Sequence, residues 1–482
     1  MTHNKAIYLA ACWILLVLLG ACNKNSDTTV QTNVSYSTTS TLVQNFALQA
    51  NKDIAANLDS VHFTIDQDKA IIYNADSLPV GTNVTSLKVV LTFGANVRSA
   101  QFKVTGATKH SDTTFTYTNA QRDSIDFTGN VALTITSYDS QHTRTYTVKV
   151  NVHKLNPDSL MWNTARRRHL PGVTGTPAEQ RTIVQNGTFY TLLRQQDNSL
   201  VLSSTDNPAG EWSSTTLTLP FAPQVESFAA TTTAFFLLAD DGTLYCSEDH
   251  GLTWSGCGVT WHSLLGAYGD KVLGVALNGG TYFHDEYPRD EYFVTSALPL
   301  DFPVEQASPL VEAANSWTAN PQAMLMGGVT AEKEVTNAVW GYDGYSWARI
   351  NGASSALPAL RGAMLFPYVT YRVPTGKATP VKLVTWMVMG GAKADGTMNT
   401  TVYTSFDQGL LWAKGATGLQ WPAHFTPCRG AQALIYNEDL SRDGVEWTCP
   451  FIYVFGGYAA GGDLLNNVWQ GVLNRLYFKP VY

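Results

Sequence analysis

The chain has 482 residues, 31 Lys and Arg against 38 Asp and Glu, a formal charge of -7, and 14% charged, 44% hydrophobic and 11% aromatic residues. At roughly 100 to 200 residues per domain it holds several domains, each with its own core. An acidic balance without a basic run excludes a nucleic-acid binder or a polybasic membrane-surface protein, and so aromatic and lightly charged a chain is not disordered.

Residues 1–21 read as a signal segment: a polar start with Lys5, an apolar run from Ala6 to Val17, then Leu19-Gly20-Ala21 before Cys22. The run is too short to span a bilayer comfortably. Leu19-Gly20-Ala21-Cys22 resembles the lipobox of bacterial lipoproteins, which implies that Cys22 becomes a lipidated mature N-terminus. Several acyl chains suffice for stable anchoring, at about 0.8 kcal/mol per buried CH2. Asn23 follows the cysteine rather than the Asp that favours the inner membrane in lipoproteins, so an outer-membrane lipoprotein is expected, facing the periplasm or the surface. Residues 22–37, rich in Thr, Ser and Asn, read as a flexible tether.

Residues 38–154 read as several short strands with polar turns. The clearest is Thr145 to Val152, where Tyr146, Val148, Val150 and Val152 alternate with Thr145, Thr147, Lys149 and Asn151. This pattern predicts an Ig-like β-sandwich. The stretch from Phe63 to Asp66 with Asp76 to Leu87 resembles the N-terminal Ig-like domains of Bacteroidetes surface lipoproteins, which implies a spacer.

Residues 158–482 carry repeats. Ser247, Asp249, Gly251 and Trp254 recur as Ser405, Asp407, Gly409 and Trp412. The spacing resembles the Asp-box of sialidase-type propellers, where the residues are structural. Weaker copies run from Asp343 to Trp347 and from Ser204 to Trp212. Apolar strands ending in Gly327-Gly328, Gly390-Gly391 and Gly456-Gly457 resemble kelch repeats. Innermost strands starting near Arg181, Val225, His262, Ala307, Arg361 and Arg429 predict an all-β, six-bladed β-propeller of four-stranded blades. Leu-Pro recurs after outer strands, and Trp162 with Leu170-Pro171 shows the same signature with no blade before it. The segment near Leu160 to Arg166 is therefore expected to complete the last blade.

Cys246 and Cys257 flank a turn between adjacent strands, a candidate disulfide; a bridge between Cys428 and Cys449, at opposite ends of a hairpin, is not expected. No Cys or His pair has metal-ligand spacing, and no cofactor motif is present, so neither a metal nor a cofactor is expected. Arg361-Gly362-Ala363 and Arg429-Gly430-Ala431 both lead into innermost strands. They present either guanidiniums for a carboxylate, sulfate or polar glycan, or structural arginines bonded to linker carbonyls. Asp240-Asp241 reads as a turn, and His284-Asp285-Glu286 as part of a solvated loop, so no catalytic pair is assigned.

Anchor, spacer and propeller together resemble a family of uncharacterised Bacteroidetes lipoproteins classed only as a domain of unknown function. The expectation is a non-catalytic binding module at the cell envelope for a glycan or protein partner, rather than an enzyme. The alternatives are a sialidase-like hydrolase or lyase, which requires three or more charged side chains converging in the central pocket, and a structural subunit of an outer-membrane complex.

Overall fold

The computed structural model describes residues 37–474 apart from 56, 110–111, 119–123, 155, 157–158, 315–320, 353, 373–380, 423 and 442–447. The expected signal segment, Cys22 and almost all of the tether lie outside the described residues. The chain divides into two units, Met1–Lys154 and Leu155–Tyr482.

In the first unit, Val43–Leu48 pairs with Val89–Phe93 in a two-stranded sheet. A six-stranded sheet runs in the order Phe63–Asp66, Ile71–Asn74, Thr143–Lys149, Asn130–Ser137, Val97–Thr105 and Thr113–Thr116. All its pairings are antiparallel except Ile71–Asn74 with Thr143–Lys149. Period-2 alternation buries one side of each strand: Tyr146 and Val148 point inward while Thr145 and Thr147 stay exposed. The two sheets share one core through Phe46, Phe63, Phe102, Leu133 and Tyr146. The buried Tyr146 hydroxyl is satisfied by donating to Gln67 Oε1 at 2.7 Å.

Among the described residues the second unit contains a two-stranded sheet pairing Pro303–Glu305 with Val329–Thr330, and six four-stranded antiparallel sheets in chain order. Their first strands are Pro177–Gln185, Ala229–Ala230, Ser263–Tyr268, Val311–Ala313, Met364–Arg372 and Gln432–Asp439. Each first strand lies against the next, and the sixth returns to the first. Second strands lie inside this stack with both faces covered, which is why Phe235–Leu238 reads as an unbroken apolar run rather than an alternating one. In Gln322–Met326, Ala323 and Leu325 pack toward the third sheet and Met324 and Met326 toward the fifth, all fully buried. Burying each such Leu or Met contributes about 1.5–3 kcal/mol.

The sixth sheet takes its outer strand from the start of the unit. Ser159–Trp162 pairs antiparallel with Val468–Asn474, from Trp162 opposite Gly471 to Ser159 opposite Asn474. This is the pairing expected of the stretch around Trp162. Gly471 makes room for the indole: a methyl group added there would lie 2.6 Å from the Trp162 ring. The Trp162 Nε1 donates to Gln420 O at 2.9 Å.

Glycine pairs fix the distance between successive sheets. A methyl group on Gly390 would lie 2.8 Å from Cys428 O in the sixth sheet's linker, and one on Gly456 would lie 2.6 Å from Gln180 Oε1 in the first sheet. Both glycines have positive φ, 64° and 57°, so the turn and the close approach each require the missing side chain.

Candidate functional site at the axial end of the second unit

Three stretches repeat one local conformation where the chain passes into a sheet: Glu305-Gln306-Ala307, Arg361-Gly362-Ala363 and Arg429-Gly430-Ala431. Their middle residues have φ of 50°, 60° and 71°. Their leading residues pair with Val329, Ala392 and Tyr458, each following a Gly-Gly pair. Gly362 N donates to Gln306 O and Gly430 N to Gly362 O, both at 2.7 Å. Glu305, Arg361 and Arg429 thus occupy equivalent positions at the same end of the axis.

These positions differ in how their charge is matched. Glu305 accepts from Lys333 Nζ at 2.7 Å and lies 3.1 Å from His262 Nε2; these contacts hold its carboxyl below the usual carboxylate range, with the lysine the larger influence. Arg361 and Arg429, both half-buried, have no ion-pair partner among the described residues. The Nε of Arg361 is buried and unpartnered. The Arg429 guanidinium lies 5.3 Å from the centre of the Tyr458 ring, a cation–π contact.

The first two sheets complete the arrangement. Arg181 in Pro177–Gln185 also has a buried, unpartnered Nε, and burial lowers its pKa while Glu226 opposes that shift. Burial chiefly, with Glu226 and Glu179 adding to it and Arg429 opposing it, raises the Tyr458 phenol well above its ordinary value and keeps it protonated. Burial also raises the Glu179 carboxyl, with Arg194 at 3.4 Å opposing and Glu226 and Asp240 reinforcing. Arg181, Glu179, Glu226, Arg429 and Tyr458 therefore bear on one another, although Glu179 and Arg181 stand in the first sheet, Glu226 in the turn Val225–Ser227 before the second, and Arg429 and Tyr458 in an isolated bridge beside the sixth.

Sequence reasoning found Arg361 and Arg429 but treated Arg181 only as a strand start and passed over Glu226 and Tyr458. One signal was present. The Gly-Gly pairs lead into Val329, Ala392 and Tyr458, and only the last carries a polar group.

Successive connections in a four-stranded antiparallel sheet alternate ends, so turns between third and fourth strands lie away from this site. Two of them are near copies. Asp249 Oδ1 accepts from the Ser247 hydroxyl at 2.8 Å and from Leu252 N and Thr253 N at 3.0 and 2.8 Å. Gly251 N donates to Ser247 Oγ at 2.9 Å, and Trp254 Nε1 donates to Gly251 O at 3.0 Å. In the other, Asp407 accepts from Ser405 at 2.7 Å and Leu411 N at 2.9 Å; Gly409 N donates to Ser405 Oγ at 3.0 Å and Trp412 Nε1 to Gly409 O at 2.9 Å. Hydrogen bonds from Thr253 lead in holding Asp249 down to about 2. Asp343 repeats part of the pattern, accepting from Tyr345 N and Ser346 N at 2.9 Å. Asp206 does not: it accepts from Thr188 instead.

The candidate disulfide is not formed in this structure. Cys246 and Cys257 are free thiols, as are Cys428 and Cys449. Cys246 stands opposite Ser255, and Cys257 lies two residues further along that strand, within a register shift. Burial and the neighbouring Cys246 push the Cys257 thiol up to about 12.

The expected solvated loop at His284-Asp285-Glu286 is instead buried strand, within Thr281–Tyr287. Both faces of that strand meet neighbours that engage its polar groups, His284 Nε2 alone among them being buried without a partner. Asp285 accepts from Trp261 Nε1 at 2.8 Å and is gripped by Arg289 at 2.8 and 2.6 Å. Glu286 accepts from Lys271 at 2.8 Å, and Trp347 Nε1 donates to His284 Nδ1 at 3.1 Å. Burial lowers the His284 pKa to about 4. Among the described residues no group of His, Cys, Asp or Glu suits a metal ion.

Six sheets whose first strands follow one another and return to the start define a β-propeller. The chain belongs to the DUF6242 family: residues 156–481 match its "DUF6242 beta propeller domain" and residues 27–150 its "Domain of unknown function (DUF6242) N-terminal domain". No curated protein matches the chain. Among solved structures, YjhT is 13% identical with a TM-score of 0.40, covering 62% of this chain and 95% of its own. A six-bladed fungal lectin of Aleuria aurantia is 12% identical with a TM-score of 0.35, over 60% of this chain and 89% of its own. The SapL1 lectin, solved with alpha methyl fucoside, is 14% identical with a TM-score of 0.36, over 64% and 98%.

Proposed function

We propose that this protein is a cell-envelope lipoprotein whose propeller is a non-catalytic binding module for a glycan or protein partner. In this reading Cys22 carries the lipid that holds the chain at the outer membrane, and the first unit is an Ig-like spacer. The six sheets are six blades, with Asp-box turns at one end and kelch-like Gly-Gly strands beside the axis. The observation that carries the reading is the set of Arg181, Arg361 and Arg429 at the other end, none in an ion pair among the described residues. Arg181 and Arg361 each hold a buried Nε–H without a partner, which is costly unless a ligand completes it. The test is a glycan array comparing the intact protein with an Arg361→Ala, Arg429→Ala variant: loss of bound glycans supports the reading, and no binding by either protein removes the glycan half of it.

One observation favours a sialidase-like hydrolase or lyase as a second reading: Tyr458 lies within electrostatic reach of Glu226 and Glu179 beside the arginines. Its raised pKa opposes it, because the phenol stays protonated and weakly nucleophilic. A subunit role in an outer-membrane complex draws support from apolar side chains on the opposite turns, where Leu252, Tyr345, Phe406, Leu410 and Leu411 are exposed.

A further inference from the structure

Resting on the binding-module reading and narrowing it, we propose that the axial end recognises an acidic sugar. Its carboxylate is held between Arg361 and Arg429 with Arg181 alongside, and its neighbouring hydroxyls meet Glu226, Glu179 and Tyr458. Charge matching makes the first half of the argument. Glu305, at the equivalent position one sheet earlier, is already engaged by Lys333 and His262 and offers nothing to the arginines. Gly362 brings the two arginine-bearing turns together, since a methyl group placed on it would lie 3.2 Å from the Arg429 Cβ. Guanidiniums bind planar carboxylates through paired N–H donors, and Arg361 and Arg181 each hold an Nε–H with no acceptor.

The second half comes from the groups beside them. Glu179 and Glu226 are acceptors, and Tyr458, neutral and hydrogen-bonded to Glu226, offers its oxygen as a further acceptor. A ligand that suits both halves carries a single negative charge next to hydroxyl donors. A phosphate ester brings close to two charges toward Glu179 and Glu226 and is disfavoured by them. A neutral sugar leaves the arginines unmatched.

The test titrates the full chain with trigalacturonate and 3′-sialyllactose as carboxylate probes. Trigalacturonate methyl ester and lactose are their neutral counterparts, and lactose 3′-sulfate is the sulfate arm. We expect at least one carboxylate probe to bind, its neutral counterpart to bind at least tenfold more weakly, and Arg361→Gln, Arg429→Gln to remove that difference at an unchanged thermal midpoint. Tyr458→Phe weakens the same probe by a few-fold without abolishing selectivity, which separates hydroxyl from carboxylate recognition. Equal binding of lactose 3′-sulfate and the carboxylate probes overturns carboxylate recognition. Binding of neutral glycans that ignores the arginine substitutions overturns the acidic-sugar site and leaves a binding module standing elsewhere. Failure of every glycan overturns this inference and the glycan reading together.

Discussion

The side-chain amides of Gln180 and Gln432 meet at 2.7 Å, Nε2 to Oε1, joining the first and sixth sheets across 252 positions of chain. The same Gln432 Oε1 accepts from Thr182 N at 3.0 Å, and Gln432 Nε2 donates to Gly430 O. All three side chains are buried. This contact seals the place where the propeller's two ends meet. Gln432→Ala strands the Thr182 N–H without an acceptor, at about 1–3 kcal/mol, and takes one of two acceptors from Gln180 Nε2, which keeps Thr182 Oγ1 at 2.6 Å, at about 1 kcal/mol more. Denaturant unfolding followed by tryptophan fluorescence should show a loss of about 2–4 kcal/mol, and an unchanged midpoint would show that the seal contributes nothing.

The outer strand of the sixth sheet depends on the fit of Trp162 over Gly471. Gly471→Val puts side-chain atoms where the indole lies, and overpacking of this kind costs about 1–3 kcal/mol. Freeing Ser159–Trp162 also exposes the edge of Val468–Asn474 to pairing with other chains. The variant should form soluble aggregates on size-exclusion chromatography, whereas Gly471→Ala should do so less.

His284 is neutral in the fold, with its pKa lowered by burial to about 4 from 6.5. The unfolded chain therefore binds the extra proton between those values. The stabilisation is complete above about pH 6.5 and disappears as pH falls toward 4, amounting to about 3 kcal/mol over that window. The groups facing it include Trp347, Asp285 and Lys271. Thermal midpoints of His284→Phe should vary less between pH 7 and 4 than those of the native chain; parallel curves would contradict the assignment.

Asp249 titrates lower still, to about 2 against 3.8, because Thr253 and Ser247 hydrogen-bond to its charged form. What it adds is present above about pH 3.8 and is lost as pH falls through 2. Between pH 4 and 2 the native thermal midpoint should fall further than that of Asp249→Asn, and the reverse order would show that the turn does not depend on the carboxylate charge.

Much of the propeller was legible because its turns have demanding chemistry. Ser-x-Asp-x-Gly with a following Trp satisfies several backbone groups within a few residues, and a Gly-Gly pair is needed where one sheet touches the next linker, so both leave local traces. The repeated Arg-Gly-Ala was legible for the same reason. Arg181, Glu226 and Tyr458 were not, since they meet only around the axis and no short window contains two of them. The strand from Thr281 to Tyr287 was misread because consecutive polar residues suggest solvent. Inside a propeller a strand has neighbours on both sides, and His284, Asp285 and Glu286 each find a polar partner there.

Borrowing Ser159–Trp162 for the last sheet sets a timetable for folding. That strand leaves the ribosome about three hundred residues before Val468–Asn474, its only partner in the sheet. The closing contacts therefore have very high sequence separation and form late, after five sheets have already been synthesised. Until then both ends of the nascent array are unpaired, and a chaperone that shields the early strand would raise yield more than one acting on any interior sheet.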